Sequence, residues 1–182
     1  MKVKLHDGKT DATESSLRYA VLDTAKGWLG ILGSEKGLLA VTLPQPSKEV
    51  ALEQLGENIK KATPEDGFFS DIVSRLREYI SGRRVSFNDA IDTSADTYFQ
   101  IQVWKAARTI PYGQTRSYAW LAQQIGKPNA ARAVGQALKH NPLPIIIPCH
   151  RIIASDGSPG GFSGGLAAKK RLLKLEAISQ SH

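Results

Sequence analysis

Two apolar runs, "GWLGIL" and "GLLAVTLP", face each other across Ser34-Glu35-Lys36-Gly37 within residues 27–44. A polar turn ending in glycine between such runs predicts a β-hairpin, and a hairpin here fixes much of what the first half can become. The stretch before it, 16–25, reads as another strand. Residues 47–62 and 68–82 then show helical spacing, with Ile72, Leu76, Tyr79 and Ile80 forming one stripe and Gly82 closing the second helix. Residues 86–97 are polar and rich in turn formers, so a boundary is expected there, dividing the chain into 1–92 and 93–182.

The second part reads as mainly helical. Residues 97–110 are amphipathic and stop at Pro111. Beyond it, Tyr118, Leu121, Ala122 and Ile125 recur at i, i+3, i+4, i+7, the spacing of one buried helix face. A short Gly-Lys-Pro turn leads to a second helix, expected to begin at Asn129 as its cap and to stop near His140-Asn141-Pro142. Two short helices so tightly linked suggest a helix-turn-helix. The expected fold is therefore α/β (α+β), a small N-terminal antiparallel sheet with helices followed by a mainly helical domain.

Charge separates the same two parts. Residues 1–96 carry 13 Lys/Arg against 15 Asp/Glu, whereas 97–182 carry 11 against 2. The whole positive excess thus lies in the helical part, which fits either a nucleic-acid partner or a solubilising basic surface. The single cysteine, Cys149, excludes an internal disulfide and a thiol-rich zinc site, and it favours a reducing compartment. The first sixteen residues lack the apolar region of a secretory signal, and no run is long enough to span a membrane. A cytoplasmic protein is expected, or a nuclear one if the source is eukaryotic.

Several residues break local rules. Cys149 lies in "PIIIPCHR", between three isoleucines and His150-Arg151. Burial alone makes a thiol inert, but a neighbouring imidazole can take its proton and leave a thiolate. Glu176 falls inside the apolar arc of the 167–176 helix, opposite Lys170 and Lys174; facing inward it needs a partner such as an Arg or His, and the alternative is a frayed helix end that bends out to solvent. Glu176 could hold the imidazole of His150 in the required tautomer. Arg132 sits in the first turn of a helix, where the dipole disfavours a cation; insertion into DNA and a solvated surface position both explain it. Tyr118 belongs to an apolar stripe. The Gly-rich loop 157–165 matches neither phosphate-loop spacing, and it is read as a pocket lining or as a connector.

Three stretches, "IPYGQTRSYAWLA", "NAARAVGQALKHNPLPIIIPCHRII" and "GGFSGGLAAKKRLLKLE", resemble the O6-alkylguanine-DNA alkyltransferases. They cover most of residues 97–178 in that family's order, while the first half matches only in layout. The resemblance implies direct-reversal DNA repair by a helix-turn-helix that binds through the minor groove and flips the damaged guanine out of the stack. Cys149 would accept the alkyl group irreversibly, activated by His150 through a water and by Glu176, while Tyr118 donates to the guanine ring. Asn141 would brace the turn before the active-site strand, and Arg151 would be mainly structural. Arg132 would fill the gap in the duplex, with Thr115, Ser117, Tyr118, Ala131 and Gly135 also facing DNA. Pro144, Phe162, Ser163 and Gly164 would form the substrate pocket.

By the same resemblance the partner is double-stranded DNA containing O6-alkylguanine, the protein is a monomer with no obligate protein partner, and no cofactor is needed. Phe162 stands where many relatives have Tyr, which changes the expected range of alkyl groups. The Cys ligands that some relatives use for zinc are missing, so no metal is expected, and neither is a second methyl-acceptor domain with a transcription-activator role. The competing readings are a non-catalytic binder of alkylated DNA, a regulator with a redox thiol, and a Cys-His hydrolase.

Overall fold

A computed structural model of the chain describes residues 16–178, and the expected absence of a secretory signal falls on residues 1–15, outside them. β1 (Arg18–Thr24), β2 (Gly27–Ser34) and β3 (Gly37–Val41) form an antiparallel meander, with the second hairpin turning where the sequence marks it. β4 (Thr63–Pro64) adds to β1 in parallel, giving the order β3-β2-β1-β4. The sheet is thus antiparallel with one short parallel edge.

β2 lies between β3 and β1, and every residue from Leu29 to Ser34 is buried. α1 (Lys48–Glu53) packs closely on it at Gly30, where a Cβ would come within 2.9 Å of the Ala51 carbonyl oxygen. The single helix expected over 47–62 does not form. Gly56 adopts φ 82°, a left-handed conformation that glycine takes without strain, and the chain continues as a 3-10 turn over Glu57–Lys61. α2 (Ser70–Ile80) buries the expected stripe of Ile72, Leu76, Tyr79 and Ile80.

The polar segment after α2 is irregular but firmly attached. Leu38 N donates to Ala90 O, Asp92 N donates to Leu38 O, and the Ser34 hydroxyl donates to Asp92 Oδ2 at 2.6 Å. The segment therefore runs along the outer edge of β3. A capping box of Thr97 with Gln100 then starts α3 (Tyr98–Ala107).

α4 (Tyr118–Gln124) and α5 (Ala131–Lys139) are the paired helices, and both pack on α3. Trp104 Nε1 donates to Ala137 O at 3.0 Å across that interface. Leu121 and Ala122 are fully buried, whereas Tyr118 and Ile125 are only half-buried. α5 starts one residue later than an Asn129 cap would place it. Its cap is Ala130, with no side-chain hydrogen bond, so Asn129 does not serve. β5 (Arg116–Ser117) pairs in parallel with β6 (Ile152–Ile153), and α6 (Leu166–Ile178) ends the described chain. One hydrophobic core runs from Leu29 and Ile31 through Leu76 and Val103 to Ile147 and Ile152, joining the sheet to the helices.

Candidate active site

The turn from α5 to Cys149 is held by one side chain. Asn141 Nδ2 donates to Ile147 O at 2.9 Å and to Cys149 Sγ at 3.0 Å, and its Oδ1 accepts from Leu143 N at 2.9 Å. Within the turn Ile145 has φ 76°. That conformation is strained for a β-branched residue, at a cost on the order of 1–3 kcal/mol, and persists only where surrounding bonds enforce it. Cys149 itself begins a 3-10 turn, Cys149–Arg151, and not the strand expected there.

Behind the thiol lies a buried polar cluster centred on Glu176, which is 1% exposed. Its carboxylate accepts from His150 Nε2 at 2.8 Å, from Arg151 Nη2 at 2.9 Å and Nε at 3.0 Å, from the Tyr79 hydroxyl at 2.7 Å and from Gly113 N at 2.8 Å. Burial works to raise the pKa of Glu176, but the bonds from His150 and Arg151 outweigh it and hold the carboxyl down to about 2. An ionised carboxylate only accepts, so the proton of His150 must sit on Nε2. Burial keeps the imidazole pKa below its ordinary value, with Glu176 opposing. The other ring nitrogen, Nδ1, is buried with no hydrogen-bond partner among the described residues. The result is a neutral imidazole with a free lone pair, oriented by a carboxylate, which is the arrangement of a general base.

Cys149 needs such a base. Burial pushes its thiol up to about 11, against the Asn141 amide and the charge of Lys169. Lys169 is fully buried, and its Nζ donates to Ile152 O and to Gly161 O. Burial lowers its pKa to about 8, opposed by the charge on Cys149. The same Gly161 carbonyl accepts from the Tyr118 hydroxyl at 3.2 Å. Burial raises the Tyr118 pKa, as does the nearby Cys149 charge.

In front of the thiol a cleft of about 1030 Å³ opens between α5 and the 154–163 loop. Tyr118, Ala131, Arg132, Gly135, Cys149, Phe162 and Ser163 line it, so the structure brings together seven residues singled out in the sequence. Thr115, Ser117, Pro144 and Gly164 are not among the lining residues. The Ser117 hydroxyl caps α4 by accepting from Trp120 N at 3.0 Å, and the Thr115 carbonyl accepts from Arg116. Pro144 is engaged in a bridge with Ile147. Asn141 reaches the sulfur from behind the cleft.

Two residues of the cluster escaped the sequence reading. Lys169 shares the i, i+3, i+4, i+7 row of Leu172, Leu173 and Glu176, so the same helix geometry turns both charged side chains inward. Tyr79 was assigned to an apolar stripe, although a buried phenol needs a partner for its hydroxyl. Among the described residues no group of three or more His, Cys, Asp or Glu is placed to hold a metal ion, and no helix is long and apolar enough to cross a membrane.

Fold and site together define a class, a helix-turn-helix protein with a buried thiol in an open cleft and an oriented His–Glu pair behind it. Residues 98–178 match the model of the 6-O-methylguanine DNA methyltransferase DNA binding domain, and residues 17–93 match that of the ribonuclease-like domain of the same proteins. The methylated-DNA–protein-cysteine methyltransferase of Mycobacterium tuberculosis is 51% identical over 161 residues, spanning 88% of this chain and 92% of that one. The protein of that name from Methanosarcina barkeri is 41% identical over 158 residues, 87% of this chain and 96% of its own. A crystal structure of Mycobacterium tuberculosis OGT in complex with DNA superposes with a TM-score of 0.76 and 41% identity, covering 89% of this chain and 94% of that one. The chain belongs to the 6-O-methylguanine DNA methyltransferase family.

Proposed function

We propose that the protein repairs DNA by direct reversal, transferring the alkyl group of O6-alkylguanine, or of O4-alkylthymine, irreversibly to its own Cys149. The observation that carries this reading is the buried thiol facing a cleft beside α5, with an oriented imidazole behind it. Duplex DNA docks on the basic helical part, and the damaged base swings out of the stack into the cleft. Arg132, exposed on α5, takes the place the base vacates.

The Cys149 proton passes to His150 Nδ1, directly or through a water, and Glu176 stabilises the imidazolium. The thiolate attacks the alkyl carbon as the carbon–oxygen bond breaks, and the electron pair of that bond leaves with the guanine O6. Tyr118 donates to the ring of the departing base, and Ser163 with the loop backbone contacts O6. The product is a thioether, which water does not reverse, so each molecule acts once. The reaction as written uses no cofactor. We assign the DNA-binding and alkyl-accepting role to residues 93–182, with 1–92 as an N-terminal α/β domain packed on the same core. The protein acts as a monomer, without an obligate protein partner, in the cytoplasm, or in the nucleus if the source is eukaryotic.

The test is the intact and peptide mass of protein mixed with an equal amount of duplex carrying O6-methylguanine. One methyl on the Cys149 peptide, saturating at one per molecule with guanine restored, is the expected result. Tight binding without a mass change would turn the reading into a damage sensor. Neither binding nor transfer by folded protein would overturn it.

A further inference from the structure

The loop that closes the front of the cleft leans on the N-terminal half of the chain. Phe162 and Ser163 line the cleft, and the next residue, Gly164, has no free space behind it. A Cβ there would collide with Leu43 Cδ1 and sit 3.0 Å from Phe162 Cε1. Leu43, two residues beyond β3, therefore packs directly on the loop backbone, with the edge of the Phe162 ring against the same glycine. On the other side of Leu43 lies a second cavity, a crevice of about 440 Å³ also lined by Pro44, Ile80, Leu172 and Leu175. The wall behind the substrate loop is thus one half-buried aliphatic side chain with open space at its back.

Such a wall behaves unlike a packed core. Close-packed interiors resist even one added methylene, because the surrounding atoms have nowhere to go. A leucine bordering a void can change rotamer into it, and the loop it supports can follow. A methyl group on O6 asks for little displacement, whereas a longer substituent reaching Phe162 asks for more.

We propose that Leu43 is a specificity-determining residue for the alkyl group, a movable wall whose retreat into the crevice lets Phe162 and Gly164 yield to bulky substituents. The inference rests on the transfer reaction proposed above. Leu43 is not among the residues that line the cleft with the thiol, so methyl transfer depends little on it while transfer of larger groups depends on it strongly.

The test uses the full chain in single-turnover reactions with two duplexes, one carrying O6-methylguanine and one O6-butylguanine. The quantity read is the ratio of the two rates on one preparation, in which any inactive fraction cancels. Leu43→Ala should raise the butyl-to-methyl ratio about tenfold, and Leu172→Phe, which fills the crevice, should lower it by a similar factor. Unchanged ratios in both variants overturn the proposal. Should Leu43→Ala fail to fold, Leu172→Phe decides alone, a lowered ratio supporting the wall and an unchanged one refuting it. A wild-type protein that accepts neither group sinks the transfer reading itself and the inference with it, whereas normal methyl transfer with unmoved ratios sinks the inference alone.

Discussion

The two sides of Cys149 are built on different principles. Behind the sulfur, Tyr79, Gly113, His150 and Arg151 all donate to one carboxylate, Asn141 pins the turn, and nothing is exposed enough to relax. In front, Arg132, Ser163 and the 155–158 turn are exposed, Phe162 is half-buried, and the loop rests on a side chain with a void behind it. The difference teaches where each kind of precision is needed. Proton transfer tolerates little displacement, so its groups are locked before substrate arrives. Accepting a swollen, extruded base requires a surface that can adjust.

Variants that act on one side only should sharpen this contrast. The largest effect is expected from Cys149→Ala, which should lose all alkyl transfer in the mass assay and keep its affinity for duplex DNA. Transfer persisting in that variant would end the assignment. Glu176→Gln comes next. It should slow transfer about a hundredfold by disorienting His150. Removing one partner of a buried ion pair should also cost about 3–5 kcal/mol in urea unfolding.

The same variant tests the pH dependence of stability. Glu176 is held down to about 2 in the folded protein, against about 4.3 when unfolded. Its contribution is therefore complete above about pH 4.3 and is lost as pH falls through about 2, on the order of 3 kcal/mol in all. Glu176→Gln should flatten that acid limb. An unchanged limb would mean that another carboxylate dominates it.

Arg132→Ala probes the front alone. Unstacking a base costs a few kcal/mol, so transfer from duplex should slow by about fiftyfold while reaction with the free modified base stays near wild type. Equal losses on both substrates would refute the gap-filling role. The smallest effect is expected from Lys169→Met. Loss of the buried cation should raise the Cys149 pKa further and slow iodoacetamide labelling at neutral pH about tenfold, with the alkaline rise of the profile moving upward. Lys169→Arg should restore most of the rate. An unmoved profile in folded Lys169→Met would remove Lys169 from the chemistry and leave it as a fastener of the Gly161 loop.

Legibility in the sequence followed the range of the forces involved. The β2–β3 hairpin and the α2 stripe rest on turn chemistry and periodicity within a few residues, and both appear where expected. The inward turn of Glu176 followed from helix geometry alone. The break at Gly56 is not legible locally, because helical spacing continues across one glycine over 47–62, whereas in the fold Leu55 turns into the core just before it. Asn129 is a good cap by composition, but the chain enters α5 one residue later, at Ala130. The convergence of Tyr79 on Glu176, 97 residues apart, has no local signature. The backing of Gly164 by Leu43 is equally non-local, since it joins the two parts of the chain.

The segment stitched along β3 has a further consequence. A protein consumed by every lesion it corrects must be present in numbers that match the damage, so it must stay dispersed when abundant. Sheet edges are the usual weak point, because unpaired backbone groups invite strands from other molecules. Here one edge is covered by Ala90 and Asp92. The other is β4, two residues long, and its second residue, Pro64, has no N–H to offer. The covered edge along β3 and the short β4 are thus poor templates for aggregation, a property that matters more for a reagent used once than for a catalyst that turns over.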